Sequence, residues 1–333
     1  MTDTTNVREN TTRDNKRSEL TGMGWLFLMS MVLHTVTALF VNMLSDRGIM
    51  VPTAPRLIMS QLTIVVPAII YILIRRLSLK DDLGLRPIKA GSAFMCILLT
   101  VLITPLASLA NVISQFFVKN ELLQMSDSLL DVSPIPLLFL GGIFGPLCEE
   151  FVFRAVFNNR YSVYLGPMRA GLISALLFGL AHMNINQCAY AFVLGVVFAI
   201  INRAANSVFP SMIIHACINL GNILMLVVSS KIAGMLGSGT DIAAQAEAAR
   251  NSDVIYVMAG VMLVFAIIFG IAAIPCIIWL SKHEGGFEDL CDMFTNRHAT
   301  DRWMTAGLAL GIIYVLFVMF GLEPLLNVIK GRM

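Results

Sequence analysis

The chain has 333 residues, 57% of them hydrophobic and only 13% charged, with a mean hydropathy of +0.79. A soluble domain carries about 25% charged residues, so composition excludes an ordinary soluble protein and points to an all-α, polytopic membrane protein. The formal net charge of +2 excludes a nucleic-acid partner, which calls for a strongly basic surface. The expected partner at this level is the lipid bilayer.

The chain opens on polar sequence rich in Thr, Asn and charge, with no cleavable signal pattern. Residues 1–22 are expected to be a disordered cytoplasmic tail. Apolar runs then recur near 24–44, 57–74, 92–118, 135–153, 168–182, 188–202, 208–229, 254–281 and 303–322. A span needs about 17–25 residues, so eight or nine transmembrane helices are expected. The runs 168–182 and 188–202 are short, either two short or tilted helices or one interrupted pair. The chain divides into N-terminal transmembrane helices (23–132), a central segment (133–229), and an extracytoplasmic loop with C-terminal helices (230–333). The polar stretch 231–253 carries Ala-rich helix signals at Ala243–Ala249, and 282–302 is charged; both are expected to be solvated connectors.

With nine alternating spans, 16 of the 23 Lys and Arg residues fall on the side of the N-terminus and 7 on the other. Positive charge stays in the cytoplasm, so an integral membrane protein with a cytoplasmic N-terminus is expected, in a bacterial plasma membrane. Six cysteines are present and none forms a CxxC pair, so free thiols, mostly buried, are expected rather than a disulfide framework.

The stretch that departs from this pattern is Gly145-Pro146-Leu147-Cys148-Glu149-Glu150-Phe151-Val152-Phe153-Arg154. Charge in an apolar helix costs several kcal/mol or more and marks function by default. Glu150 and Arg154 are four apart and share a helix face, where they can pair. Glu149 is rotated by roughly 100° from that face, and one arginine cannot fully satisfy two carboxylates. Further polar groups follow: His182 ends Phe178-Gly179-Leu180-Ala181-His182, and His215 and Asn219 share a face of His215-Ala216-Cys217-Ile218-Asn219. His34, in the first span, reads as an interhelical hydrogen bonder, and Asn184, Asn186 and Gln187 as a capped polar turn. Cys148, beside two carboxylates, is poorly placed as a thiolate nucleophile.

Each group has a purely structural reading, as an ion pair at a helix end or a hydrogen bond between helices. Together, two acids, two histidines and a carboxamide are the parts needed to activate water and hold an oxyanion. A proton-coupled transporter would use similar groups, but no internal repeat of the kind common in transporters is visible. A non-proteolytic membrane immunity or scaffold protein is the other alternative.

At these residues the sequence resembles the CAAX-processing endopeptidases and their bacterial bacteriocin-processing and self-immunity relatives, a group of intramembrane proteases. That family carries Glu-Glu-x-x-x-Arg, then Phe-x-x-x-His, then His-x-x-x-Asn on successive membrane helices. The resemblance implies a peptidase acting on a peptide or membrane-protein substrate. Glu149 would activate the attacking water and His182 would help hold it. His215 and Asn219 would stabilise the oxyanion, and Glu150 and Arg154 would shape the site. The family has been read both as metal-dependent and as metal-free, so zinc held by Glu149, His182 and His215 is a candidate cofactor. No His-Glu-x-x-His helix is present to decide it.

Overall fold

The computed structural model describes residues 2–235, 244, 247–248, 250–295 and 303–322, with side chains placed from Arg17 onward except at 233 and 234. Among these residues all regular structure is helical. A chain this apolar must satisfy its backbone groups within each segment, and in lipid a helix does so without an exposed edge. In chain order the helices are α1 (Thr2–Asp46), α2 (Thr53–Arg75) and α3 (Ala90–Ser114), followed by two short turns, Glu121–Gln124 and Ser126–Leu130. Then come α4 (Pro134–Leu165), α5 (Pro167–Ala181), α6 (Ile185–Ala205), α7 (Phe209–Met235), α8 (Val254–Glu284), α9 (Phe287–Thr295) and α10 (Ala306–Leu322). Seven are long and apolar enough to cross a membrane, and α5 and α10 are shorter apolar helices. Counting both short ones, the described residues give the larger of the two expected span numbers.

Helix α4 is composite. Two π-helical stretches, Leu140–Phe144 and Phe151–Asn158, flank the α-helical Gly145–Glu150. Such widened turns occur often at functional sites. The helix runs on to Leu165, past the end of the apolar run at residue 153, so the two acids lie midway along it. Two polar residues beyond Phe153 are met by tertiary partners. Asn159 donates to the Leu83 carbonyl at 2.8 Å, and Arg160 bonds Glu19 and Asp82. Arg154, one of the 16 Lys and Arg residues assigned to the side of the N-terminus, is buried inside α4. Gly166, at φ +81°, makes the turn into α5, which begins at once with Pro167. That backbone conformation favours glycine.

The polar N-terminal segment, expected as a disordered tail, is part of α1. Propagating a helix from an established span is far cheaper than nucleating one. Its last residues are also engaged: Glu19 and Leu20 are buried, and Glu19 pairs with Arg75 at 3.2 Å and Arg160 at 3.0 Å. Between the later helices, α8 ends at Glu284 and α9 buries Leu290 and Met293, so residues 282–295 are not a plain solvated connector. His298 lies outside the described residues. Within the Ala-rich stretch 243–249, Ala244, Glu247 and Ala248 are helical, and the other positions lie outside the described residues. All six cysteines are free, but only Cys96 is fully buried and Cys291 is exposed.

Among the described residues two large apolar cores hold the bundle, beside a smaller one that joins α4 and α7 around Leu137 and Ile223. One joins α1, α2, α4, α5 and α10 through Phe27, Phe153, Phe157, Tyr161 and Phe178. Within it Phe153, Phe157 and Tyr161 stack in series at 5.8 and 6.2 Å, Phe27 meets Phe157 edge-on, and Phe178 packs on Phe153. The other core joins α3, α6, α7 and α8. Most apolar side chains of α8 are exposed, which suits a helix facing acyl chains.

Candidate active site

The centre of the site is a buried charge pair on α4. Glu150 is 0% exposed and Arg154 1%, with Arg154 Nε 3.3 Å from Glu150 Oε2. Their i, i+4 spacing makes this pairing local, as the sequence implies. The guanidinium lies over the ring of Phe178 on α5 at 4.2 Å and near that of Phe198 on α6 at 5.3 Å. Stacking on aromatic faces suits a planar guanidinium with little water. Gly195 leaves room for it: a Cβ there would lie 3.0 Å from Arg154 Nη2 and 2.8 Å from the Ala175 Cβ. The other oxygen of Glu150 meets His215 Nδ1 of α7 at 3.0 Å. Glu150 thus ties α4 to α7, and Arg154 presses α4 against α5 and α6.

Glu149 faces a different way. Its side chain is 18% exposed and its Oε2 is 3.8 Å from His215 Nε2. That gap is too long for a direct hydrogen bond, and a water beside the pair can touch both groups. Its Oε1 accepts from Gln61 Nε2 of α2 at 3.1 Å. Gln61 was not singled out from the sequence. The available signal was an amide inside the apolar run 57–74.

His182 lies just past the end of α5, with Nδ1 2.9 Å from the Phe178 carbonyl. A carbonyl only accepts, so Nδ1 carries the proton and Nε2 is the atom left for other partners. The Phe178 ring meets His182 at 5.0 Å and His215 at 5.7 Å, both edge-on. One phenyl ring therefore touches both imidazoles as well as the guanidinium. Asn219, one turn beyond His215, donates from Nδ2 to the Gly141 carbonyl at 3.3 Å. Gly141 and Gly142 allow that approach, since a Cβ at either would lie 2.8 or 2.6 Å from Ile223 or Leu220 of α7. A primary amide has two N–H donors, so one bond to Gly141 leaves a second donor.

His34 bonds Thr63 Oγ1 at 3.1 Å, the interhelical contact expected of it, and stands within electrostatic reach of His182 and Glu149. Asn184 caps α6 by accepting from the Gln187 amide at 2.7 Å. Asn186 instead reaches Asn111 and Ser114 on α3.

The candidate zinc set fares differently. Among the described residues, no three His, Cys, Asp or Glu side chains form a group that could hold a metal ion. Glu149 and His215 approach each other without His182 closing a third position. The residues present therefore do not fit the three-ligand zinc site that the resemblance suggested.

A separate polar cavity of about 380 Å³ opens where α2, α4, α6 and α9 end, lined by Asp82, Asn159, Arg160, Asn202, Arg203 and Asn206. It contains none of the groups above, and Arg160 and Arg203 already pair with Asp82 and Asp289, each at 2.6 Å.

Comparison with known proteins gives a family match over residues 131–221, to the type II CAAX prenyl endopeptidases, Rce1-like. The matched segment contains α4, α5, α6 and the first half of α7, and so every catalytic candidate named from the sequence. That match is to the same family whose motifs the sequence resembles. No curated protein and no solved structure matches the chain.

Proposed function

We propose that this protein is an intramembrane endopeptidase in which Glu149 is the general base. What carries this reading is the unequal setting of two adjacent carboxylates. Glu150 is sealed in a pair with Arg154, whereas Glu149 is partly open and lies beside an imidazole. Peptide hydrolysis needs a base within reach of water and donors placed where negative charge develops.

A water between Glu149 Oε2 and His182 Nε2 gives one proton to Glu149 as its oxygen attacks the scissile carbonyl carbon. Negative charge then moves to the carbonyl oxygen. The free N–H of Asn219 and the Nε2–H of a protonated His215 donate to that oxygen, while His215 Nδ1–H stays on Glu150. Collapse of the tetrahedral carbon breaks the C–N bond, and Glu149 passes its proton to the leaving amine. The products are one new carboxyl and one new amine, with the base regenerated. Glu150 and Arg154 act by holding His215 and the helices around it.

The family description supports a substrate ending in a prenylated CAAX sequence. The test uses a fluorescence-quenched prenylated CAAX peptide with protein in liposomes, and mass spectrometry of the products. Wild-type protein should release the C-terminal fragment, and Glu149→Ala, inserted at normal yield, should release none. Cleavage by that variant at the wild-type rate would remove Glu149 as the base. Elemental analysis of the purified protein separates the metal-free route from a zinc-bound one.

A further inference from the structure

We propose that Gln61 is a positioning residue for the base, contributed by a helix outside the family match. The inference rests on Glu149 being that base. Helix α2 packs against the Gly145–Glu150 stretch of α4. On the turn that meets it, α2 carries Ser60, Gln61 and Thr63 inside the apolar run 57–74. Placing an amide there is unfavourable unless it is hydrogen-bonded, and Gln61 Nε2 donates to Glu149 Oε1 at 3.1 Å. Chemistry fixes the orientation of the amide, because reversing it would set its oxygen against an ionised carboxylate. Its own oxygen, Oε1, is buried and finds no hydrogen-bond partner among the described residues, so the bond to Glu149 is what orients the amide there.

The consequence is a division of labour within one carboxyl group. An unrestrained glutamate rotates about three bonds and presents either oxygen to water. Held at Oε1 by Gln61, Glu149 keeps Oε2 on the side of His215, at 3.8 Å from Nε2. Fixing a reacting group in this way contributes to rate through geometry, and a displacement of about 1 Å can cost about a hundredfold.

Two substitutions test the idea with the prenylated peptide assay. Gln61→Met keeps length and removes the donor; kcat should fall about tenfold to a hundredfold with KM and detergent unfolding temperature unchanged. Gln61→Glu puts a second carboxyl against Glu149, and once protonated its O–H can donate as the amide did. Turnover of Gln61→Glu should therefore recover as pH is lowered, on the acid side of the wild-type profile. Other titratable or charged groups around Glu149 are His34 on α1, Cys148, Glu150 and Arg154 on α4, His182 at the end of α5, Tyr190 on α6 and His215 on α7. All are common to both variants, so the difference between their profiles reports on position 61.

A substrate-independent measurement runs beside these: modification of Glu149 by a hydrophobic carbodiimide, which reacts with protonated carboxyls, read by peptide mapping. Losing the donor in Gln61→Met should speed labelling severalfold. Wild-type kcat together with wild-type labelling in Gln61→Met would overturn the proposal while leaving Glu149 as base, provided Glu149→Ala is inactive. Activity in Glu149→Ala would instead overturn the underlying reading.

Discussion

Replacing Arg154 by methionine is the sharpest probe of the buried pair. The thioether can still occupy the space between Phe178 and Phe198, so packing is largely kept. What is lost is the counter-charge of Glu150, a residue with 0% exposure that retains hydrogen bonds from His215 Nδ1 at 3.0 Å and from the Ser211 side chain but no full counter-charge. Breaking one side of a buried ion pair costs about 3–5 kcal/mol, at least a hundredfold in the folded-to-unfolded ratio. Combining Arg154→Met with Glu150→Gln removes both charges and leaves an amide oxygen to accept from His215. Replacing both partners of such a pair is often neutral, so the double variant should be more stable than Arg154→Met alone by about 2 kcal/mol or more. The assay is equilibrium unfolding in mixed micelles of mild detergent and SDS for wild type, both single variants and the double. Equal stability of Arg154→Met and wild type, or simple addition of the two single effects, would refute the idea that this pair braces the site.

Two more outcomes follow from close approaches around the same residues. Gly195→Ala should cost about 1–3 kcal/mol by overpacking, seen as a lower unfolding temperature in detergent, because its Cβ would crowd Arg154 and Ala175. Asn219→Ala should lower kcat about 10²–10³-fold if its spare N–H serves the oxyanion, with KM retained. Loss of its bond to Gly141 should add only about 0.5–1.5 kcal/mol of destabilisation, so a collapse in folding yield without a kinetic defect would contradict that role.

The helices were legible because length and apolarity decide them in lipid. Their ends were less so. Asn158, Asn159 and Arg160 look like a loop in sequence, yet tertiary bonds from Leu83, Glu19 and Asp82 let α4 continue through them. The N-terminal segment misled for the same reason, since Glu19 finds its partners 56 and 141 residues away, at Arg75 and Arg160. In the site, the local pairs were readable: Glu150 with Arg154, and Phe178 with His182, each fixed by one helical turn. Contacts between helices were not. Neither the bond of His215 to Glu150 nor that of Gln61 to Glu149 leaves a spacing rule behind, because each joins separate spans.

The ion tie at Glu19 bears on how the chain is made. Synthesis runs from the N-terminus, so Glu19 can meet Arg75 once α2 exists, but Arg160 reaches the ribosomal exit only with the last turns of α4. The first two helices must therefore be stored in the bilayer as an unfinished pair, with an acid awaiting its second cation. Locking of the amino-terminal helices onto α4 in this sense waits on the arrival of a single arginine.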